Sequence, residues 1–457
     1  MCVSAPRAGD SNRTDTDDYD VPDATGGTVR LTIESLAYGG AGVAKAPDGF
    51  TVFVEGSCPG DVVDAQETER HERYARARIV SLLQASPDRV EPACPHFGEC
   101  GGCQWQHVAY TAQCTAKAAA VESALAKIGG AQIDVDATAP SPDTYGYRNK
   151  VEFHVRPTSR GPLLGLARRH TNDVVPIQEC LLLPPALRRA PRALGGALRY
   201  LSARTDARVD RVALRVSRSG EVTVDVWTDP SGFPRQLAAK VFADAVGASS
   251  VTRVIAKGPS GARRVTRVEV LLGEGVWHET LSGDRYSVSP PSFFQVNTRA
   301  AERLRSTACA AVEESGANTV ADVYAGVGTF TLPLARFADV VAVESSSHAL
   351  ADLRRNLAGA ALRAEITPGD AGHVLGTIDT VGAVLIDPPR TGLSKDAGQA
   401  LLSACPKTIV YVSCDPATLA RDAKLLISGG YSLRKATPID LFPQTYHIET
   451  VVTFVLG

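Results

Sequence analysis

The run Asp322-Val323-Tyr324-Ala325-Gly326-Val327-Gly328-Thr329-Phe330 decides the fold. An apolar strand, Val320–Tyr324, ends in a glycine turn, and a helix is predicted at Phe330–Arg336. Glycines there let backbone approach a ligand at a helix N-terminus. A third glycine would complete a dinucleotide fingerprint, but its place holds Thr331. The turn therefore suits a nucleoside better than a pyrophosphate. Alone, it is equally an ordinary tight turn.

The following sequence repeats the alternation. Val340–Val343 precedes a helix at Ser347–Leu357, and Ala383–Ile386 precedes a Pro-Pro turn. Thr408–Val412 precedes a helix at Ala417–Ile427, and Val451–Leu456 ends the chain. Such alternation predicts a parallel sheet with helices on both faces. Its ligands bind beyond the carboxyl ends of the strands. Glu344 closes the second strand, where a carboxylate can accept from both ribose hydroxyls. The plainer reading is a surface Glu opening the next helix. Leu385-Ile386-Asp387-Pro388-Pro389-Arg390 holds a carboxylate rigidly at the same crevice. Together these signals predict an α/β, Rossmann-like S-adenosylmethionine methyltransferase fold.

Val410-Tyr411-Val412-Ser413-Cys414-Asp415-Pro416 sets a cysteine at a strand's carboxyl end, before a helix. Free N–H groups there are expected to favour thiolate. The bland alternative is a small buried hydrophobe. Near the end of the chain, Tyr446-His447-Ile448-Glu449-Thr450 offers Glu449 as a general base. His447 reads as structural.

Upstream, residues 28–83 show short alternating strands broken by Gly39-Gly40-Ala41-Gly42 and Pro59-Gly60-Asp61. They predict a small barrel, with an oligonucleotide-binding barrel as one option. A helix is predicted at Ala109–Ile128. Residues 145–280 read mostly as strands: Lys150–Val155, Leu163–Ala167, Val212–Val216, Val222–Trp227 and Val268–Leu272. Cys94-x5-Cys100-Gly101-Gly102-Cys103 is joined at a distance by Cys180. The spacing suits iron–sulfur ligation or structural zinc about equally. Cys2, Cys58, Cys114, Cys309 and Cys405 follow no such pattern.

Bulk properties bound the rest. The chain has 457 residues, which suggests two to four domains at roughly 100–200 each. No stretch of about 18 apolar residues occurs, so no membrane span is expected. The N-terminus lacks an apolar signal segment, so the expected location is cytoplasmic. Ten cysteines are too sparse for a disulfide framework. The net charge of −2 gives no global pull on nucleic acid, so any such binding needs a local patch. Residues 145–192 carry nine Arg/Lys against three Asp/Glu. They are the candidate footprint, or else merely a solvated face. Residues 1–24, rich in Asp, are expected to form a disordered tail.

Five ordered motifs carry a resemblance. Ser292-Phe293-Phe294-Gln295-Val296-Asn297, the Asp322–Leu334 run, Ile386–Arg390, Val412–Pro416 and His447-Ile448-Glu449 look like those of RNA (uracil-C5)-methyltransferases. Residues 28–83 resemble the TRAM domain of many members. Ala325 departs from the pattern, where many members have Cys, and no role rests on it. The resemblance implies four segments: a tail at 1–24, a TRAM (OB-like) RNA-binding barrel at 25–86, a central, mostly-β iron–sulfur domain at 87–285, and a methyltransferase domain at 286–457. It implies Cys414 as nucleophile and Glu449 as general base. It implies Gln295, Tyr324, Glu344 and Asp387 around S-adenosylmethionine. It selects a [4Fe-4S] cluster for Cys94, Cys100, Cys103 and Cys180. The expected substrate is RNA, 23S rRNA before tRNA, and the expected state is a monomer. Two other readings are an adenine-type amino methyltransferase, from Asp387-Pro388-Pro389, and a non-catalytic RNA-binding or chaperone protein.

Overall fold

The computed structural model describes residues 28–258, 264–377 and 381–457. The expected tail at 1–24 lies outside them. Five strands, Thr28–Leu36, Gly42–Lys45, Thr51–Glu55, Val62–Arg70 and Tyr74–Gln84, close into a barrel. Alternate residues such as Leu31, Ile33, Val52, Val54 and Val63 fill it. The alanines Ala44, Ala65, Ala75 and Ala77 keep it narrow.

A seven-stranded central sheet follows. Its order is Arg264–Leu272, Ser250–Lys257, Val222–Thr228, Val209–Val216, Lys150–Arg156, Leu163–Ala167, Val174–Pro176. Helices Ala190–Ser202 and Arg235–Val246 pack against it, with Leu194, Leu198, Leu201 and Phe242 in the shared core. The sequence reading has no helix in either place.

The C-terminal sheet has the order Glu365–Pro368, Asp339–Glu344, Thr319–Val323, Ala383–Ile386, Thr408–Ser413, Glu449–Leu456, Tyr431–Ile439. The first five strands run parallel, and Glu449–Leu456 runs antiparallel to both of its neighbours. Two cores sandwich the sheet. Val384 and Ile386 face one core and Leu385 the other, which accounts for the unbroken apolar run.

Two upstream pieces join this C-terminal layer. Helix Tyr110–Lys127 lays Val121 and Leu125 into the core beside Leu419 and Ala423. Hairpin Trp277–Leu281/Asp284–Val288 straddles the expected boundary at 285 and packs Trp277 and Tyr286 with Phe294 and Leu304. The expected helix at Phe330–Arg336 shrinks to one turn, Thr331–Leu334. Pro333 brings no N–H to extend it.

Candidate active site

Val323, Glu344, Ile386 and Ser413 end neighbouring parallel strands at one edge. Beyond Val323 the chain reverses with Tyr324 at φ +66° and Gly326 at φ +57°. Tyr324 pays the steric strain of the left-handed region, a feature that clusters at ligand sites. Gly328, at φ +95°, leaves no room for a side chain: a Cβ would lie 2.7 Å from Leu332 Cδ1. Glu344 organises this turn. Its Oε2 accepts the Gly326 N–H at 3.0 Å, and its Oε1 accepts those of Ser345 and Ser346 at 2.8 and 2.6 Å. One carboxylate thus belongs to both turns, with lone-pair capacity left for a ligand.

Asp322 is buried at the strand's core, and Thr331, the residue in place of the third glycine, donates its hydroxyl to it. The other Asp322 oxygen has no partner. Burial, with Glu344 nearby, pushes Asp322 up to about 7. Asp387, half-buried, is likewise pushed up to about 7 by burial and then by Asp322. Gln295 is buried, its Oε1 is unpartnered, and Asn149 Nδ2 holds its backbone carbonyl at 2.8 Å. Buried carboxyls and an unpaired amide oxygen offer acceptors to a polar, partly cationic ligand.

Cys414 is half-buried at the crest of the sheet, not packed into its interior. The reversed last strand explains what faces it. Ser413 pairs with Thr450 across the antiparallel ladder, so the next step outward sets Cys414 opposite Glu449. Glu449 is buried with one oxygen unpartnered, and its carboxyl is pushed well above the usual range by burial and then by Asp387. The expectation of a thiolate favoured by the helix is corrected here. Burial, then Glu449 and Asp387, push the thiol up to about 12 against the opposing charge of Arg390. The helix end is already satisfied, because Asp415 Oδ1 accepts the N–H groups of Ala417 and Thr418 at 3.0 and 2.9 Å. His447 is held neutral, pushed down to about 4 by burial and then by Arg390.

Cys94, Cys100, Cys103 and Cys180 line one cavity of about 600 Å³, shared with Arg148 and Arg169. The cysteine loop is stitched down there: Gly101 N–H reaches the Ala167 carbonyl at 2.9 Å, and Arg169 N–H reaches that of Glu99 at 3.1 Å. Burial first, and then neighbouring cysteines, raise Cys100 to about 11 and Cys103 to about 12. Among the described residues, no three His, Cys, Asp or Glu side chains converge tightly enough for a single metal ion.

Sequence reasoning missed Arg390 as the cation that acts on Cys414 and Tyr38 as the barrel residue that reaches the Cys414–Asp415 turn. The signal for Arg390 lay in the Asp-Pro-Pro-Arg loop itself. Tyr38 gave none.

The TRAM domain profile matches residues 23–80, and the tRNA (Uracil-5-)-methyltransferase profile matches residues 375–455. An RNA methyltransferase of Gloeobacter violaceus is 35% identical, with 94% of this chain and 96% of that protein covered. The 23S rRNA (uracil(1939)-C(5))-methyltransferase of Edwardsiella ictaluri is 32% identical over the same shares of each chain. The crystal structure of Pyrococcus abyssi tRNA (uracil-54, C5)-methyltransferase with S-adenosyl-L-homocysteine superposes with a TM-score of 0.74 at 27% identity, covering 93% of this chain and 100% of that one. The chain belongs to the RNA (uracil-C5)-methyltransferase family.

Proposed function

We propose that this protein methylates C5 of a uridine in RNA, with S-adenosylmethionine as donor and 23S rRNA as substrate. The observation that carries the reading is the thiol of Cys414 set opposite the buried Glu449, beside Asp387 and Arg390. The Edwardsiella relative supports 23S rRNA. The Pyrococcus structure favours tRNA as the second reading.

Uracil C5 is a poor nucleophile. The Cys414 thiol gives up its proton to water, and addition of the resulting thiolate to C6 forms an S–C6 bond and moves the C5=C6 electrons towards O4. C5 then attacks the methyl carbon. S-adenosylmethionine supplies that methyl on a positively charged sulfur. Glu449 next removes the C5 proton, C5=C6 re-forms, and the Cys414 thiolate leaves. Covalent addition divides one hard step into easier ones. Holding C5 in line contributes roughly 7–11 kcal/mol, and general-base help about 10²–10⁴-fold. The base must leave its stack to reach the thiol, which favours RNA loops. Gln295, Tyr324, Glu344 and Asp387 hold the donor in this reading.

The four thiols fit a [4Fe-4S] cluster. Cys94, Cys100, Cys103 and Cys180 would hold it around their shared cavity, and its negative charge would suit Arg148 and Arg169, whose Nε atoms are buried without partners. Such a cluster would tie the 94–103 loop to residue 180.

The test is transfer of labelled methyl to 23S rRNA and tRNA transcripts, followed by nucleoside analysis. The reading expects 5-methyluridine in 23S rRNA. Label in tRNA alone selects the second reading, and label on an amino group overturns both.

A further inference from the structure

We propose that Tyr38 of the barrel is a positioning residue for the nucleophile, holding the Cys414 turn from outside the methyltransferase sheet. This inference rests on the reading of Cys414 as nucleophile.

Tyr38 lies in the turn between the first two barrel strands, yet its ring packs on the C-terminal core and not inside the barrel. Its hydroxyl lies 3.3 Å from the Cys414 carbonyl oxygen and 3.2 Å from Asp415 Oδ2. The opposite oxygen of Asp415 caps the helix at Ala417 and Thr418. The hydroxyl has one proton, which it donates to the Asp415 carboxylate or the Cys414 carbonyl or shares between them, and either way it is tied to the turn that carries the nucleophile. Its ring stands edge-on to Tyr446, with centroids 5.2 Å apart, and Tyr446 lies 4.3 Å from the His447 ring. Glu449 is two residues further on. One barrel turn thus touches both the thiol's segment and the base's segment.

The turn is itself anchored. Trp105 Nε1 donates to the Gly40 carbonyl at 3.0 Å. Gly40 has φ +102°, and a Cβ there would meet Gln104 Cβ at 3.1 Å. Trp105 is buried. Tyr38 therefore has a rigid backing and can hold the Cys414 turn in place. A thiol held in line reacts faster without binding RNA more tightly.

The test is Tyr38→Phe, which keeps the ring against Tyr446 and removes only the hydroxyl. Loss of a hydrogen bond to a charged group predicts a fall in kcat of about tenfold, with KM for RNA changed less than about twofold. Capture of RNA containing 5-fluorouridine slows by the same factor. A raised KM for RNA with kcat unchanged overturns the proposal, because the barrel then only grips RNA. A lowered Tm with kcat unchanged overturns it too, because Tyr38 is then a structural tie. Cys414→Ala separates the two levels. If that variant turns over normally, the nucleophile reading falls. If it is inactive while Tyr38→Phe keeps full kcat and full capture rate, only the role of Tyr38 falls.

Discussion

Cys414 shares its corner of the sheet with Glu449, Asp387, Asp415 and Arg390; burial first, and then the three acidic groups, raise its thiol, and Arg390 opposes them. Burial, and then Asp387, raise the Glu449 carboxyl well above the usual range, and in the proposed reaction it acts as a base only in its ionised form. We predict that Glu449→Gln still adds to RNA but stalls before release. Turnover falls about 10²–10⁴-fold while the protein–RNA adduct accumulates on denaturing gels. An equal loss of adduct and turnover would show that Glu449 acts earlier. Asp322 makes a second residue-level prediction. Its folded value of about 7 lies above the ordinary carboxylate value of about 3.9. The folded state therefore binds more protons between those limits, so this group's contribution to stability falls as pH rises from about 4 to about 7 and then levels. Asp322→Asn keeps an acceptor for Thr331 and removes the titration. Its stability relative to the parent should rise with pH over that window in denaturant melts. A pH-independent difference would contradict the assignment.

Among the elements, helix Tyr110–Lys127 shows how an upstream segment is bound to the C-terminal layer. Lys117 and Asp440 meet at 2.7 Å with both side chains fully buried, and burial pushes the Lys117 ammonium down. Removing one partner leaves a lone buried charge. Lys117→Met should cost about 3–5 kcal/mol in urea unfolding, and adding Asp440→Leu should restore most of it. A double variant no better than the single would show that packing, not charge, sets the cost. The C-terminal strands were legible because apolar runs between turn residues leave few alternatives, as at Ala383–Ile386 and Thr408–Ser413. Helix Ala190–Ser202 was not legible. It contains Pro191 and Gly195-Gly196, poor helix formers, and burial of Leu194, Leu198 and Leu201 overrides them. In the site, Cys414 and Glu449 were readable as motifs, but their juxtaposition depends on the reversed last strand, which no local pattern encodes. The raised thiol was hidden for a related reason: Asp415 takes the N–H groups that a bare helix end would offer.

Across the whole molecule, a chain of net charge −2 has to bind a polyanion through a local surface. In the basic stretch 145–192, Arg156, Arg160, Arg189 and Arg192 are exposed. If Arg189 and Arg192 each neutralise one phosphate, replacing both with Ala lowers the slope of log affinity against log salt by about 1.4–1.8. An unchanged slope would make that surface a solvated face. The barrel, the cysteine loop and the sheet edge meet around the Tyr38–Gly40 turn.

The central claim concerns a single thiol. Incubating the protein with S-adenosylmethionine and substrate RNA carrying 5-fluorouridine blocks the final proton removal, so a covalent adduct is expected. Peptide mass spectrometry should locate it at Cys414, and Cys414→Ala should bind the same RNA yet form none. An adduct on another residue, or normal methyl transfer by Cys414→Ala, would contradict the account.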